Sequence, residues 1–279
     1  MLKYELIPEQ LLHEGIITLS ELYSPDPIDE VIILMTHQRD YWERVRDLKL
    51  TQSEIRRIGF PLSQELVERE TRIAQGTIDG SIHAIKNKIA FNVAGGTHHA
   101  GSDWGEGFCL LNDQAIAANY LLSKGLVNRI MIIDLDVHQG NGTAEIFRNE
   151  NRVFTFSMHA ESNFPFRKEK SDLDIGLIDG TGGVVYLNIL ITHLTRLIKS
   201  FKPEFIFYLS GVDVLATDKL GKLGLSVNES MERDQVVIGL CHQNAIPLQV
   251  SMGGGYSPKI GHIVDAHCNT FRVARDLYF

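Results

Sequence analysis

A chain of 279 residues with 44% hydrophobic content has the material for one large α/β domain, and its formal charge of −8 excludes a broad basic face for gripping nucleic acid. The three cysteines, at positions 109, 241 and 268, are far apart and form no Cys-x-x-Cys pair, which excludes a disulfide framework and a thiolate zinc knuckle and fits a reducing cytoplasm. Acids and a proline interrupt the first residues, Met1 to Glu9, and no later stretch reaches membrane-span length, so the expected protein is unexported, with neither membrane nor nucleic acid as a direct partner.

In chain order, the first strong signal runs from Ser63 to about Asn87. Leu66, Val67, Ile73, Ala74, Ile78, Ile82 and Ile85 recur at helical spacing, predicting an amphipathic helix that Gly76 and Gly80 interrupt. Residues 89–93 then read as a strand, left by the turn Gly95-Gly96-Thr97-His98-His99. Asn112 or Asp113 can cap a helix through Ala115, Ile116, Ala117, Tyr120 and Leu121, with Gly125 as its stop. Residues 129–133 are a short β-branched apolar run, the pattern of a buried parallel strand, and Asp134-Leu135-Asp136-Val137-His138-Gln139-Gly140-Asn141-Gly142 follow directly. Residues two apart in extended backbone face the same side, so Asp136 and His138 can reach one metal ion together. Further strands are predicted at 152–158, 205–210 and 247–252, with a helix over 186–201 and a long functional loop at 161–183. Strands separated by helices imply a mostly parallel sheet, and open α/β sheets bind ligands beyond the carboxyl ends of their strands. His98 and His99, Asp136 and His138, His159, Asp213 and Tyr256 each follow such a strand, so all are expected to converge on one pocket.

Gly95-Gly96-Thr97-His98-His99-Ala100, Gly105-Glu106-Gly107-Phe108-Cys109, Asn112-Asp113, the run from Asp134 to Gly142, Ser157-Met158-His159, Gly211-Val212-Asp213 and Gly253-Gly254-Gly255-Tyr256 occur in the order found in zinc-dependent histone deacetylases and their bacterial relatives. The chain resembles that family over most of its length. Segments 37–42, 57–61 and 95–112 look most like the class IV branch, that of histone deacetylase 11. The resemblance implies the arginase/deacetylase fold: a single catalytic domain over residues 1–279, with a central, mostly parallel sheet of about eight strands flanked by helices. It also implies a stand-alone enzyme of bacterial type.

Two carboxylates and one imidazole, Asp136, His138 and Asp213, make an open three-ligand set of the kind a catalytic zinc needs, and the family places its zinc ligands there. Adjacent histidines can move the protons of amide hydrolysis. The resemblance assigns His99 as principal general base and acid and His98 as mainly electrostatic, with Asp134 as partner of His98 and Asn141 of His99. An amide at 141, where some deacetylases carry aspartate, should leave His99 less basic. Tyr256 matches the phenol that stabilises the oxyanion, and a tyrosine there favours an active enzyme. Phe108 and Phe164 are expected to line an apolar tunnel for the acyl-lysine chain, with the Gly107 carbonyl accepting the substrate amide N–H and with Leu220 and Gly254 close by. Ser157, with backbone oxygens of Asp134, Asp136, His138 and Met158, matches the family's inner potassium site, suited to a hard cation.

The leading expectation is therefore a zinc-dependent deacylase of an acylated lysine peptide or protein, or of a small acylated amine such as an acylpolyamine, with long fatty acyl groups as one substrate class. An arginase-like ureohydrolase would need a bridged metal pair with extra aspartates, and Asn141 and Val214 stand at nearby positions without offering them. A catalytically silent acyl-lysine binding module would need no proton-transfer machinery. Asp265-Ala266-His267 is read as part of a terminal helix, His242 and His262 as surface or capping residues, and Cys109 as a packed thiol.

Overall fold

The runs at 130–134 and 205–209 set the architecture, because each is buried at every position and a strand buried on both faces needs a covering layer on both. In the computed structural model, which describes residues 2–279, these runs form β2 (Ile130–Asp134) and β5 (Phe205–Leu209), neighbours at the centre of a six-stranded sheet. On one side it continues through β6 (Leu248–Ser251) to β1 (Ile89–Asn92), on the other through β3 (Val153–Ala160) to β4 (Leu173–Leu177). The order is β1-β6-β5-β2-β3-β4 and every pairing is parallel.

Alternation along the strands feeds two cores. Ile130, Ile132, Phe205 and Phe207 face α3 (Arg39–Arg46), α5 (Gln64–Asn87) and α6 (Asp113–Ser123). Met131, Ile133, Ile206 and Tyr208 face α1 (Lys3–His13), α8 (Gly183–Phe201), α9 (Val227–Gln243) and α10 (Ile260–Tyr278). The short helices α2 (Glu30–Ile33), α4 (Gln52–Ile58) and α7 (Asn141–Phe147) lie in the connections. No helix among the described residues is long and apolar enough to cross a membrane.

Three expectations are corrected. The sheet has six strands rather than about eight, because the chain ahead of α5 folds into helices and extended coil and the sheet ends at β1. The long loop at 161–183 contains an edge strand, β4, whose Leu173, Ile175 and Leu177 alternate with Asp174 and Gly176. And α5 runs unbroken through Gly76 and Gly80, where a Cβ would meet Asn92 Nδ2 at 3.3 Å and Ala90 Cβ at 3.6 Å, so the glycines let the helix lie close on β1.

The largest fully buried side chain is an arginine on α9, Arg233. Its guanidinium donates to Asp234 Oδ1 at 2.8 and 2.9 Å, to Gly211 O at 2.6 Å, and to Leu135 O and Ser210 O at 3.3 Å. Asp234 also accepts from the Tyr208 hydroxyl at 2.5 Å and the Thr270 hydroxyl at 2.7 Å. Removing one member of a fully buried ion pair strands the other. Arg233→Met should therefore destabilise the protein by about 3–5 kcal/mol in urea unfolding, with part of the loss returned by adding Asp234→Leu. A loss near zero for the single variant would show that the pair does not anchor the strand ends.

Candidate active site

The carboxyl ends of the six parallel strands lie on one side of the sheet, and the chain there is tied from loop to loop. The N–H of Leu135 donates to Leu209 O at 3.1 Å, that of Ser210 to Ser251 O at 2.9 Å, and that of Gly253 to Gly95 O at 3.1 Å, linking the segments after β2, β5, β6 and β1. The turn after β1 is held by Asp113 Oδ1, which accepts from Gly96 N–H at 3.0 Å, Thr97 N–H at 2.8 Å and the Thr97 hydroxyl at 2.8 Å. Asn112, not Asp113, caps α6, through Ala115 N–H at 3.0 Å.

Asp136, His138 and Asp213 are buried, with one ligand atom of each within 4.8 Å of the others, and among the described residues they are the one such group of three. His138 Nδ1 lies 2.9 Å from Asp136 Oδ1 and 3.2 Å from Asp213 Oδ2. Tetrahedral zinc with ligands near 2.0–2.1 Å spaces them by about 3.3 Å, so the set fits such an ion. Asp213 Oδ2 has no hydrogen-bond partner, since the ring hydrogen of His138 serves Asp136. That buried, unpartnered carboxylate oxygen is an observation a cation would explain. Burial and the charge of Asp136 push the Asp213 carboxyl up to about 7. Burial works against a charged His138, yet the two carboxylates hold it up to about 10, so a proton sits where a cation would. Glycine at 254 is required here: its N–H donates to Asp136 Oδ2 at 2.8 Å, and a Cβ would lie 1.9 Å from Asp213 Oδ2.

His98 and His99 stand beside this group with ring centroids 4.1 Å apart. His98 Nδ1 bonds Asp134 Oδ2 at 2.6 Å, and His99 Nδ1 bonds Asn141 Oδ1 at 2.7 Å. Burial disfavours charge on both. For His98 the Asp134 and Asp136 carboxylates outweigh it and raise the ring to about 9. For His99 burial is reinforced by His98 and His138, and the ring falls well below its ordinary value.

Above these groups lies a cavity of about 730 Å³ lined by His98, His99, Asp136, His138, Gly107, Phe108, Phe164, Leu220, Gly254 and Tyr256 among others. Phe164 packs edge-on against His99 at 5.0 Å, and Phe108 lies 6.0 Å from Tyr256, centroid to centroid. Burial, with the charges of Asp213 and Asp136, holds the Tyr256 phenol well above its usual range and so protonated. Phe108 occupies a left-handed backbone conformation, φ 68°. Its N–H donates to Ile58 O at 2.8 Å and that of Gly107 to Arg57 O at 3.1 Å, so the end of α4 fixes this loop.

The family follows from comparison with known proteins. Residues 2–271 match the model of the histone deacetylase domain. The chain belongs to the histone deacetylase family. It is 42% identical over 278 residues to an uncharacterized protein of Picosynechococcus, covering 100% of this chain and 93% of that one. A probable deacetylase of Archaeoglobus fulgidus is 29% identical over 268 residues, 89% of this chain and 73% of the relative. Among solved structures, an HDAC homolog complexed with SAHA superposes with a TM-score of 0.83 at 24% identity, over 98% of this chain and 77% of that one, and so shares the fold. The α/β architecture with a parallel sheet flanked by helices is that of the family.

The structure thus brings His98, His99, Asp134, Asp136, His138, Asn141, Asp213 and Tyr256 to one place, with Gly107, Phe108, Phe164, Leu220 and Gly254 around the cavity. Ser157 and Met158 lie behind it in β3, where Ser157 pairs in register with Asp134. His159 does not follow its strand as expected. It is inside β3, with Nδ1 2.9 Å from the Ser157 hydroxyl. His267 is buried in α10, as the terminal-helix reading requires, and Cys109 is a buried thiol. Two residues that organise the site had no role in the sequence reading beyond their places in the family's motifs: Asp113, offered otherwise as a cap, and Glu106, which accepts from Asn141 Nδ2 at 2.5 Å. A polar residue inside a glycine-flanked turn was the available signal for Glu106.

Because the two carboxylates hold a proton on His138 without a cation, metal entry must expel it. Adding Zn2+ to metal-free protein at pH 7 in weak buffer should release at least one proton per ion bound, from His138 and in part from Asp213, and the affinity should fall as the pH is lowered. Binding without proton release would place the ion elsewhere.

Proposed function

We propose that the chain is a zinc-dependent deacylase that hydrolyses the amide of an N-acyl-lysine, with residues 1–279 acting as one catalytic domain of the class IV type in the cytoplasm. One observation carries this reading: within a single turn, His98 is bonded to a carboxylate and His99 to an amide, both beside a three-ligand cation site at the base of a largely apolar cavity. A binding module would gain nothing from two neighbouring imidazoles whose proton affinities are driven apart.

Asp136, His138 and Asp213 would hold the zinc, which when bound polarises the acyl carbonyl and acidifies the attacking water. The protein's own groups do the rest. His99 donates Nδ1–H to Asn141, which leaves Nε2 bare toward the cavity to take the water's proton and then deliver it to the departing amine. His98, cationic against Asp134, stabilises negative charge as it develops. The Tyr256 hydroxyl keeps its proton and donates to the oxyanion. Phe108 and Phe164 flank the methylenes of the lysine chain, the Gly107 carbonyl accepts the substrate amide N–H, and Leu220 and Gly254 complete the walls. Behind the site, the Ser157 hydroxyl and backbone oxygens of Asp134, Asp136, His138 and Met158 would hold a potassium ion, an all-oxygen set suited to a hard cation. The pairing of Ser157 with Asp134 across the β2–β3 register supports this.

The class IV reading favours longer acyl chains, and the apolar side chains lining the cavity, Phe108 and Phe164 among them, would suit them. Zinc-loaded protein assayed on lysine peptides carrying acyl groups from acetyl to myristoyl should turn over the longer members faster, and Tyr256→Phe should lower kcat about 100-fold. Failure on every peptide with turnover of acylpolyamines would move the amine assignment. Failure on both would return the site to a binding role.

A further inference from the structure

Asn141 is neutral, and an amide can present either its oxygen or its NH2 to a histidine. Only the oxygen leaves His99 competent as a base, because an acceptor at Nδ1 places the ring proton there and keeps it off Nε2. The arrangement beyond Asn141 decides which end is presented. Asn141 Nδ2 donates to Glu106 Oε1 at 2.5 Å, and Glu106 Oε2 accepts from Arg57 Nε at 2.7 Å. The Glu106 side chain is 8% exposed and that of Arg57 50% exposed, so the chain of bonds runs from the buried base to the rim of the cavity. A carboxylate only accepts, and one bound to a guanidinium has no proton to offer, so it can face only the NH2 end of the amide.

We propose that Glu106, held by Arg57, is a positioning residue that locks the Asn141 amide and through it selects the Nδ1–H tautomer of His99. The negative charge that an aspartate would place directly against His99 stands one residue further out, with a fixed amide between. The turn is built for this: Cys109 N–H returns to Glu106 O at 2.9 Å and Gly107 N–H to Arg57 O at 3.1 Å, so both ends of the Glu106–Arg57 pair are fixed to the same backbone. Trp104 lies under the Arg57 guanidinium at 5.6 Å from its ring centroid.

The bonding rules make the two positions interdependent. In Glu106→Gln, the new side-chain oxygen is claimed by Arg57 and its NH2 turns toward Asn141, which must flip and offer its own NH2 to His99. Asn141→Asp sets two carboxylates face to face. Combining Glu106→Gln with Asn141→Asp restores a donor opposite an acceptor at each step: Arg57 to glutamine oxygen, glutamine NH2 to aspartate, His99 Nδ1–H to aspartate. Each single variant should lose about tenfold or more in kcat with KM within about threefold, and the double variant should recover most of the loss of Glu106→Gln. The kinetic arm rests on the deacylase reading, so the second arm is independent of turnover: ring 15N shifts of His99 in zinc-loaded, histidine-labelled protein. The expected result is the Nδ1–H tautomer in the wild type and the double variant, and Nε2–H or a mixture in Glu106→Gln. An unchanged tautomer in Glu106→Gln, or a double variant no better than the product of its singles, would overturn the proposal. Should Glu106→Gln not fold, an Nε2–H signal from wild-type His99 overturns it equally and an Nδ1–H signal supports it.

Discussion

A guanidinium with no access to solvent ties together the ends of the two central strands. Arg233 bonds the carbonyls of Leu135, Ser210 and Gly211, and the next side chains along those segments are Asp136 and, two residues on, Asp213. Strand ends normally satisfy such carbonyls with water, which this buried position denies them. The neutral Arg233–Asp234 pair supplies the donors instead, without adding net charge beneath a site that gathers carboxylates. Because those carbonyls are fixed, the backbone N–H of Val137 can meet Asp213 Oδ1 at 3.0 Å and that of Gly254 can meet Asp136 Oδ2 at 2.8 Å. Each ligand carboxylate is thus aimed by main chain from a different strand, and the cation site inherits the rigidity of the sheet.

The histidine turn has a separate anchor on the other face. Asp113 gathers the donors of Gly96 and Thr97 on one oxygen and the Thr77 hydroxyl on the other at 2.6 Å, joining the turn to α5. Fully buried His37 bridges the neighbouring loops, with Nδ1 2.9 Å from Gly101 O and Nε2 accepting from Asn112 N–H at 3.0 Å. Burial lowers this ring to about 4, so it stays neutral and its tautomer is set by the two bonds. The two halves of the site are thereby held to opposite layers of the fold and meet at the strand ends and at α7.

Much of this was legible in the sequence where the signal is local. Buried parallel strands announce themselves as β-branched runs, the Asp-x-His spacing places two ligands on one face, and Ser63 and Asn112 cap their helices. What escaped lies beyond local reach. The edge strand β4 is a five-residue segment whose pattern is diluted by Asp174 and Gly176, and an edge strand needs burial on only one side. Residues ahead of α5 form helices too short for periodicity to single out, apart from the eleven-residue α1, which carries Pro8. Arg233 reads as one more charged residue on an amphipathic helix, and its burial depends on carbonyls 22 and 98 positions away in the chain.

The division between His98 and His99 shows how far one turn can separate two identical side chains. Both rings are buried and 4.1 Å apart, so a proton on one disfavours a proton on the other. A carboxylate partner settles the charge on His98, and an amide partner leaves His99 neutral, so the repulsion reinforces the difference rather than averaging it. A neutral imidazole with its Nδ1 hydrogen committed offers a lone pair at Nε2, and a cationic neighbour stabilises anionic charge near it. On the deacylase reading, that pairing makes an amide at position 141 compatible with catalysis: the ring it serves would need orientation more than added basicity, since a bound cation would acidify the water whose proton it takes. Raising His99 with a full carboxylate would place a further positive charge against His98 and His138 in a cavity that buries all three.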